Sequence, residues 1–278
     1  MSILVDLHYS DTWADPGHQA IPSSWPTNLN GLNTQIWTYT RDVVNAFANQ
    51  GTPIRFIQVG PSYCGQFYLP DHLPPYFAQI GNEINDGLLW PTGKISSKGF
   101  SRASQPVLHS ASTGVCAATS GSNVHIANGW ESSGVNFFWN GIFLQGQFAT
   151  SDFDLFGFSF YPFYNSVASY SALQSTLTGI VNKFGKDVMV VETDWPATGS
   201  CSGVTLSERS IPISVAGQTT WVNGIKNVLA ALPGGHGTGI VYWEPGWIGN
   251  AGLGSSCSDN LLVDGSGVSR ASMSMFSS

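Results

Sequence analysis

Two glutamates close apolar runs in this chain: Glu83 in Ile80-Gly81-Asn82-Glu83-Ile84, and Glu192 in Val188-Met189-Val190-Val191-Glu192-Thr193. Short β-branched runs of this kind read as buried parallel strands, and a polar residue at the C-terminal end of such a strand sits at the mouth of an α/β barrel. Two carboxylates so placed can divide the hydrolysis of a glycoside, one protonating the leaving oxygen and the other attacking the anomeric carbon. A plainer reading has each Glu capping the next helix or pairing with a nearby base. It suits one such residue better than two, because Asn82 precedes one and Trp195 follows shortly after the other.

The elements that must carry these groups alternate along the chain. Ile3 to Leu7, Ile54 to Val59, Val124 to Ala127, Leu155 to Phe160, Val188 to Val191 and Gly239 to Trp243 read as strands. Leu32 to Asn49, Arg102 to Val115, residues 134 to 148, Ala168 to Phe184 and Val215 to Leu232 read as helices, their apolar residues recurring every three to four positions. Strands alternating with helices mean βαβ units and a parallel sheet, so the fold class is α/β. The chain of 278 residues is read as a single barrel domain, 1–278.

Composition narrows the partner. Charged residues are 10% of the chain, aromatics 13%, and the formal net charge is −7 with 10 Lys plus Arg. No basic cluster appears, which excludes nucleic acid and anionic membrane as natural partners. No apolar stretch reaches the length of a membrane helix. The opening Met1-Ser2-Ile3-Leu4-Val5 has neither the basic start nor the cleavage site of a signal peptide. Ten Trp residues suit a neutral ligand held on aromatic faces. The cysteines, Cys64, Cys116, Cys201 and Cys257, show no C-x-x-C spacing, so zinc and redox motifs are not expected. Cys201 and Cys257 lie in Gly/Ser-rich loops, which suits either a disulfide in an oxidising compartment or free thiols.

One signal occurs twice. Phe56-Ile57-Gln58-Val59-Gly60 returns as Phe77-Ala78-Gln79-Ile80-Gly81, and the span between contains Pro61, Pro70, Pro74 and Pro75. Two copies cannot both be the same barrel strand, and proline cannot complete a ladder. Residues 59–79 therefore read as an irregular inserted segment, either an unspliced intron or a family-specific loop, with Phe77-Ala78-Gln79-Ile80 or a junction of Phe56-Ile57-Gln58 onto Ile80 supplying the strand before Glu83.

Several segments resemble glycoside hydrolase family 53, the endo-β-1,4-galactanases of arabinogalactan breakdown. They are Leu7-His8-Tyr9-Ser10-Asp11-Thr12-Trp13-Ala14-Asp15-Pro16-Gly17, Gly81-Asn82-Glu83-Ile84-Asn85-Asp86, His125-Ile126-Ala127-Asn128-Gly129-Trp130, Ser159-Phe160-Tyr161-Pro162-Phe163-Tyr164, Val191-Glu192-Thr193-Asp194-Trp195-Pro196 and Tyr242-Trp243-Glu244-Pro245-Gly246-Trp247. The resemblance implies an eight-stranded TIM barrel, a secreted, monomeric enzyme without cofactor, a galactan or arabinogalactan substrate and a retaining mechanism. By it Glu83 is the acid/base and Glu192 the nucleophile, expected to face each other across one cleft at the roughly 5 Å separation of retaining pairs. It also implies a Cys201–Cys257 bridge. The third-strand motif of the family begins near residue 4, so the first two βα units are expected to be absent from this stretch, and the alternative to an active enzyme is a non-catalytic galactan-binding remnant or defective gene model. These departures predict poor expression of the 278 residues as written.

The remaining site residues follow the same logic. Asn82 is placed to bond a sugar 2-hydroxyl, and Tyr161 to donate to Glu192. Trp195 and Trp243 offer inner sugar platforms, and Trp13 and Trp247 outer ones. His8 and Asp11 are read as contacts to sugar hydroxyls. His8, Asp11, Asp15 and His18 could in principle bind a metal, but period two places His8 with Ser10 and leaves Asp15 and His18 in the following loop, so no metal site is expected. No Gly-x-Ser-x-Gly elbow and no Gly-rich phosphate loop is present.

Overall fold

Val5 and Leu7 are buried while Leu4 and Asp6 are half-buried, the alternation of a strand with one face on a core. In the computed structural model, which describes residues 4–50, 77–96, 99–100, 103–118, 121–144 and 146–277, this is β1 (Leu4–Leu7). The chain divides into two units, residues 1–127 with 133–157, and residues 128–132 with 158–278.

In the first unit β1 is followed by α1 (Leu29–Asn49), β2 (Phe77–Ile80), the two-residue strands β3 (Ile95–Ser96) and β4 (Gly99–Phe100), α2 (Ser104–Ala117), β5 (Gly121–Ile126), α3 (Ser132–Ile142) and β6 (Leu155–Ser159), whose last two residues belong to the second unit. β2 pairs in parallel with β1, Leu7 opposite Ile80, and in parallel with β5, Ile80 opposite Val124. The second copy of the repeated signal is therefore a strand of the sheet. The first copy, Cys64 and nearly all of the expected insertion lie outside the described residues. α1 begins where the Asn28 side chain accepts from the Gly31 N–H. It buries Leu32, Ile36, Thr40 and Val44, a stripe four residues apart. α2 packs closely on α1 because Gly114 has no side chain: a Cβ there would lie 2.7 Å from the Trp37 carbonyl oxygen. An aromatic cluster fills the core beneath α3, with Trp139 edge-on to Phe156 at 4.4 Å and Phe148 stacked on Phe153 at 5.5 Å. α3 ends at Ile142 rather than running to 148, and Gly146 adopts a left-handed φ of 68° in the turn that follows.

The second unit carries α4 (Tyr170–Phe184), β7 (Asp187–Glu192), β8 (Thr198–Cys201), α5 (Val215–Ala230), β9 (Gly237–Ile240) and β10 (Cys257–Asp259). β7, the continuous apolar run, is buried at every residue and pairs in parallel with β9. β9 starts earlier than the sequence suggests and ends before Tyr242. That tyrosine leaves the ladder, and its hydroxyl donates to the Asn260 carbonyl at 2.9 Å. Ser169 and Ser214 cap α4 and α5 through their hydroxyls. Trp221 of α5 stacks on Phe160 at 4.8 Å and lies 5.1 Å from Trp195. The antiparallel pair β8/β10 is joined by the Cys201–Cys257 disulfide, the expected bridge. Arg270 then grips Asp259 with both guanidinium nitrogens, at 2.9 and 2.6 Å. Among the described residues no helix is long and apolar enough to cross a membrane.

Candidate active site

Glu83 sits just past the C-terminal end of β2, on a turn of unusual backbone. Gly81 has φ 73° and Glu83 itself φ 47°. A Cβ on Gly81 would meet Ile84 Cγ2 at 2.6 Å, so only glycine serves there. A non-glycine residue in the left-handed region costs roughly 1 to 3 kcal/mol and persists only where its surroundings hold it. Here the hold is visible: the Glu83 N–H donates to His125 Nδ1 at 3.3 Å, and the Ile84 N–H to the His125 carbonyl at 3.1 Å.

His125, on β5, is fully buried. Burial is the main cause that lowers its pKa to about 3, with the charge of His8 adding, so the ring is neutral. Gln79 Nε2 lies 3.0 Å from the same Nδ1, and Asn82 Oδ1 also lies 3.0 Å away. The Glu83 N–H can only donate, so we assign Nδ1 as its acceptor and place the proton on Nε2. Asn82 Oδ1, which can only accept, then makes no hydrogen bond with the ring and instead faces Gln79 Nε2 at 3.5 Å. Asn123 Nδ2 in turn donates to Gln79 Oε1 at 3.1 Å. Asn82 is buried, its Nδ2 donating to the Ala14 carbonyl at 3.1 Å, while Gln19 Nε2 donates to the Asn82 carbonyl at 2.7 Å.

Beyond β1, His8, Ser10, Asp11, Thr12 and Trp13 line an open groove of about 420 Å³. Trp13 is 50% exposed and lies edge-on to the His8 ring at 6.0 Å. Burial pulls the His8 pKa down. The hydrogen bond that His8 Nε2 donates to Asp6 at 3.1 Å and the charges of Asp6, Asp15 and Glu83 more than offset it, and the net shift is upward. Asp11 is exposed, and one of its oxygens accepts the Ser23 N–H at 2.8 Å, which holds its carboxyl below the usual range. Asp15 and His18 form an exposed pair 3.8 Å apart.

In the second unit Glu192 ends β7 and is buried. The Tyr161 hydroxyl donates to its Oε2 at 2.9 Å, and the Ser159 hydroxyl reaches the same oxygen at 3.4 Å. The backbone beneath is pinned from both sides: the Phe160 N–H donates to the Glu192 carbonyl at 2.9 Å, and the Thr193 hydroxyl to the Phe160 carbonyl at 2.6 Å. Trp221 Nε1 donates to the Thr193 hydroxyl at 2.8 Å. Trp243 is half-buried against Tyr161 and Phe163, with its N–H on the Thr193 carbonyl, and Trp247 is 42% exposed. Both can present a ring face. Trp195 cannot, because it is 0% exposed, packed on Trp221, with Nε1 donating to the Pro212 carbonyl at 3.0 Å. It is a core residue and the expectation of a sugar platform there is corrected.

Sequence reasoning missed His125 and Gln79 beside Glu83, and Ser159 beside Glu192. The available signal was polarity inside otherwise apolar runs: Gln79 before Ile80, His125 between Val124 and Ile126, Ser159 between Phe158 and Phe160.

Comparison with known proteins identifies the family. A protein of Aspergillus fumigatus named probable arabinogalactan endo-beta-1,4-galactanase A is 43% identical over 287 residues, covering 99% of this chain and 73% of the relative. The arabinogalactan endo-beta-1,4-galactanase of Humicola insolens is 38% identical over 284 residues, covering 99% and 77%. A solved structure of a fungal beta-1,4-galactanase superposes with a TM-score of 0.86 at 38% identity, over 99% of this chain and 77% of that one. Xylanase 10B of Thermotoga petrophila, at 14% identity and a TM-score of 0.55 over 92% of this chain and 69% of that one, shares the fold alone. The fold is therefore that of the (β/α) barrel glycosidases. The model of glycosyl hydrolase family 53 matches in two pieces, residues 1–77 and 71–276, which overlap just before Glu83. On the family match and these relatives together, the chain belongs to glycosyl hydrolase family 53.

Proposed function

We propose that this chain is a retaining endo-glycosidase cleaving β-1,4-galactosidic bonds in galactan and in the arabinogalactan side chains of pectin, with Glu192 as nucleophile and Glu83 as acid/base. The observation that carries the reading is Glu192 itself, a buried carboxylate at the end of a barrel strand whose Oε2 receives the Tyr161 and Ser159 hydroxyls. Hydroxyl donors favour the ionised form and fix one rotamer, as a nucleophile requires. Glu83 protonates the glycosidic oxygen as Glu192 attacks the anomeric carbon, and the aglycone leaves as an alcohol. Glu83, now a carboxylate, then takes a proton from water, which displaces Glu192 and releases the sugar with its original anomeric configuration. Trp13, Trp243 and Trp247 provide faces for pyranose rings, and His8 stands at the edge of the Trp13 groove. The relatives' names support the substrate. The readings of a monomer acting outside the cell, without cofactor, rest on the same resemblance. Residues 59–79 are read as an insertion, on the repeated strand signal and the prolines between its copies.

The test is proton NMR of fresh β-1,4-galactan digests. β-configured reducing ends should appear first and mutarotate later. First appearance of the α-anomer would overturn retention, and cleavage of xylan or mannan in place of galactan would overturn the substrate.

A further inference from the structure

We propose that His125 is a positioning residue for the acid/base step, holding the Glu83 turn in the geometry that delivers the proton. This rests on the reading of Glu83 as acid/base.

Three features of the first unit converge on it. Glu83 has a left-handed backbone that its side-chain type does not favour, at φ 47°. Its N–H ends on His125 Nδ1 at 3.3 Å. The imidazole is itself fixed, because Gln79 Nε2 donates to that nitrogen at 3.0 Å and Gln79 Oε1 is held by Asn123 Nδ2 at 3.1 Å. The Ile84 N–H on the His125 carbonyl adds a second tie from the same residue to the same turn. A ring that can accept at Nδ1 is thus the keystone of an Asn123–Gln79–His125–Glu83 chain of hydrogen bonds. Such a chain stays intact only while the ring is neutral, and burial keeps it so. Without the acceptor the turn loses the contact that offsets its strain, and the Glu83 carboxyl moves relative to the leaving oxygen.

The experiment compares two substrates in the full chain: β-1,4-galactan, whose leaving group needs protonation, and a dinitrophenyl β-1,4-galactobioside, whose leaving group does not. His125→Phe keeps the ring volume and removes the acceptor, and His125→Asn restores an acceptor at the δ position. For His125→Phe we expect kcat/KM on galactan to fall about 100-fold, within the range of acid catalysis, and kcat/KM on the activated substrate to fall less than about fivefold. His125→Asn should recover galactan activity to within about tenfold of the parent. Equal loss on both substrates, no loss on galactan, or an Asn variant as impaired as the Phe variant would overturn the proposal. If His125→Phe does not fold by circular dichroism, His125→Ala carries the same comparison. Glu83→Ala is measured alongside. A substrate split there without one at His125 removes the positioning role alone, whereas no split at Glu83 removes the acid/base reading and this inference with it.

Discussion

The Tyr161 hydroxyl donates to Glu192 Oε2 across 2.9 Å, with both residues buried. The two reach each other because the Phe160 N–H and the Glu192 carbonyl are joined at 2.9 Å, which brings the ends of β6 and β7 into one register. A hydrogen bond to a buried carboxylate is worth about 1.5 to 3 kcal/mol. Tyr161→Phe should therefore lower kcat on galactan by about 10- to 150-fold with little change in KM, since the contact orients the nucleophile more than it binds sugar. Steady-state kinetics decide it, and a variant with unchanged kcat and raised KM would make Tyr161 a substrate contact instead.

The Cys201–Cys257 bridge closes a loop across 56 positions. By the chain-entropy relation such a closure stabilises by about 4 kcal/mol. Replacing both cysteines with Ser should lower Tm by roughly 10 °C in a scan without reductant. Reductant should then shift the parent in the same direction, and by more than it shifts the double variant, which still carries the disulfide at Cys116. A double variant melting with the parent would show that Arg270 and Asp259 hold β8/β10 unaided.

Asp194 is fully buried, its Oδ1 without a hydrogen-bond partner among the described residues, and burial raises its pKa well above the usual carboxylate range. The native state keeps a proton that the unfolded chain releases near its ordinary pKa of about 4, so this residue's contribution to stability declines as pH rises above that value. Asp194→Asn abolishes the titration. Its Tm relative to the parent should climb steadily between about pH 4 and pH 8. A difference that stays flat across that range would contradict an ionisation cost at Asp194.

Much of the framework was legible because it is local. Val188 to Val191 is an unbroken apolar run, and a buried parallel strand is what such a run becomes. Glu83 and Glu192 stood out because each closes such a run. What could not be read depends on partners far along the chain. His125 acts through Gln79 and Glu83, 46 and 42 positions earlier, and nothing near it in sequence announces either contact. Trp195 follows a strand end like a sugar platform, yet α5 arrives later to bury it under Trp221. α1 begins at Leu29, ahead of the apolar periodicity that starts at Leu32, because Asn28, not the stripe, sets where the helix begins.

The repeated strand signal gives a prediction of its own. Deleting Val59 through Gln79 would place Phe56-Ile57-Gln58 before Ile80, so Gln58 would stand where Gln79 now meets His125 and Asn123. The deletion variant should be recovered in better soluble yield and with at least the parent's activity per mole. Loss of folding on deletion would show the segment to be an integral loop.

The central claim assigns attack to Glu192 and proton transfer to Glu83, and azide addition separates the two. Glu192→Ala should be inactive on an activated β-galactobioside, and azide should restore turnover with an α-galactosyl azide product, because the small anion enters the space left by the carboxylate and displaces the aglycone directly. Glu83→Ala with azide should give the β-galactosyl azide, formed by attack on the glycosyl-Glu192 intermediate. The anomeric proton coupling of each isolated azide reads the outcome. An α-azide from Glu192→Ala is the result the account predicts, and a β-azide from that variant would contradict it.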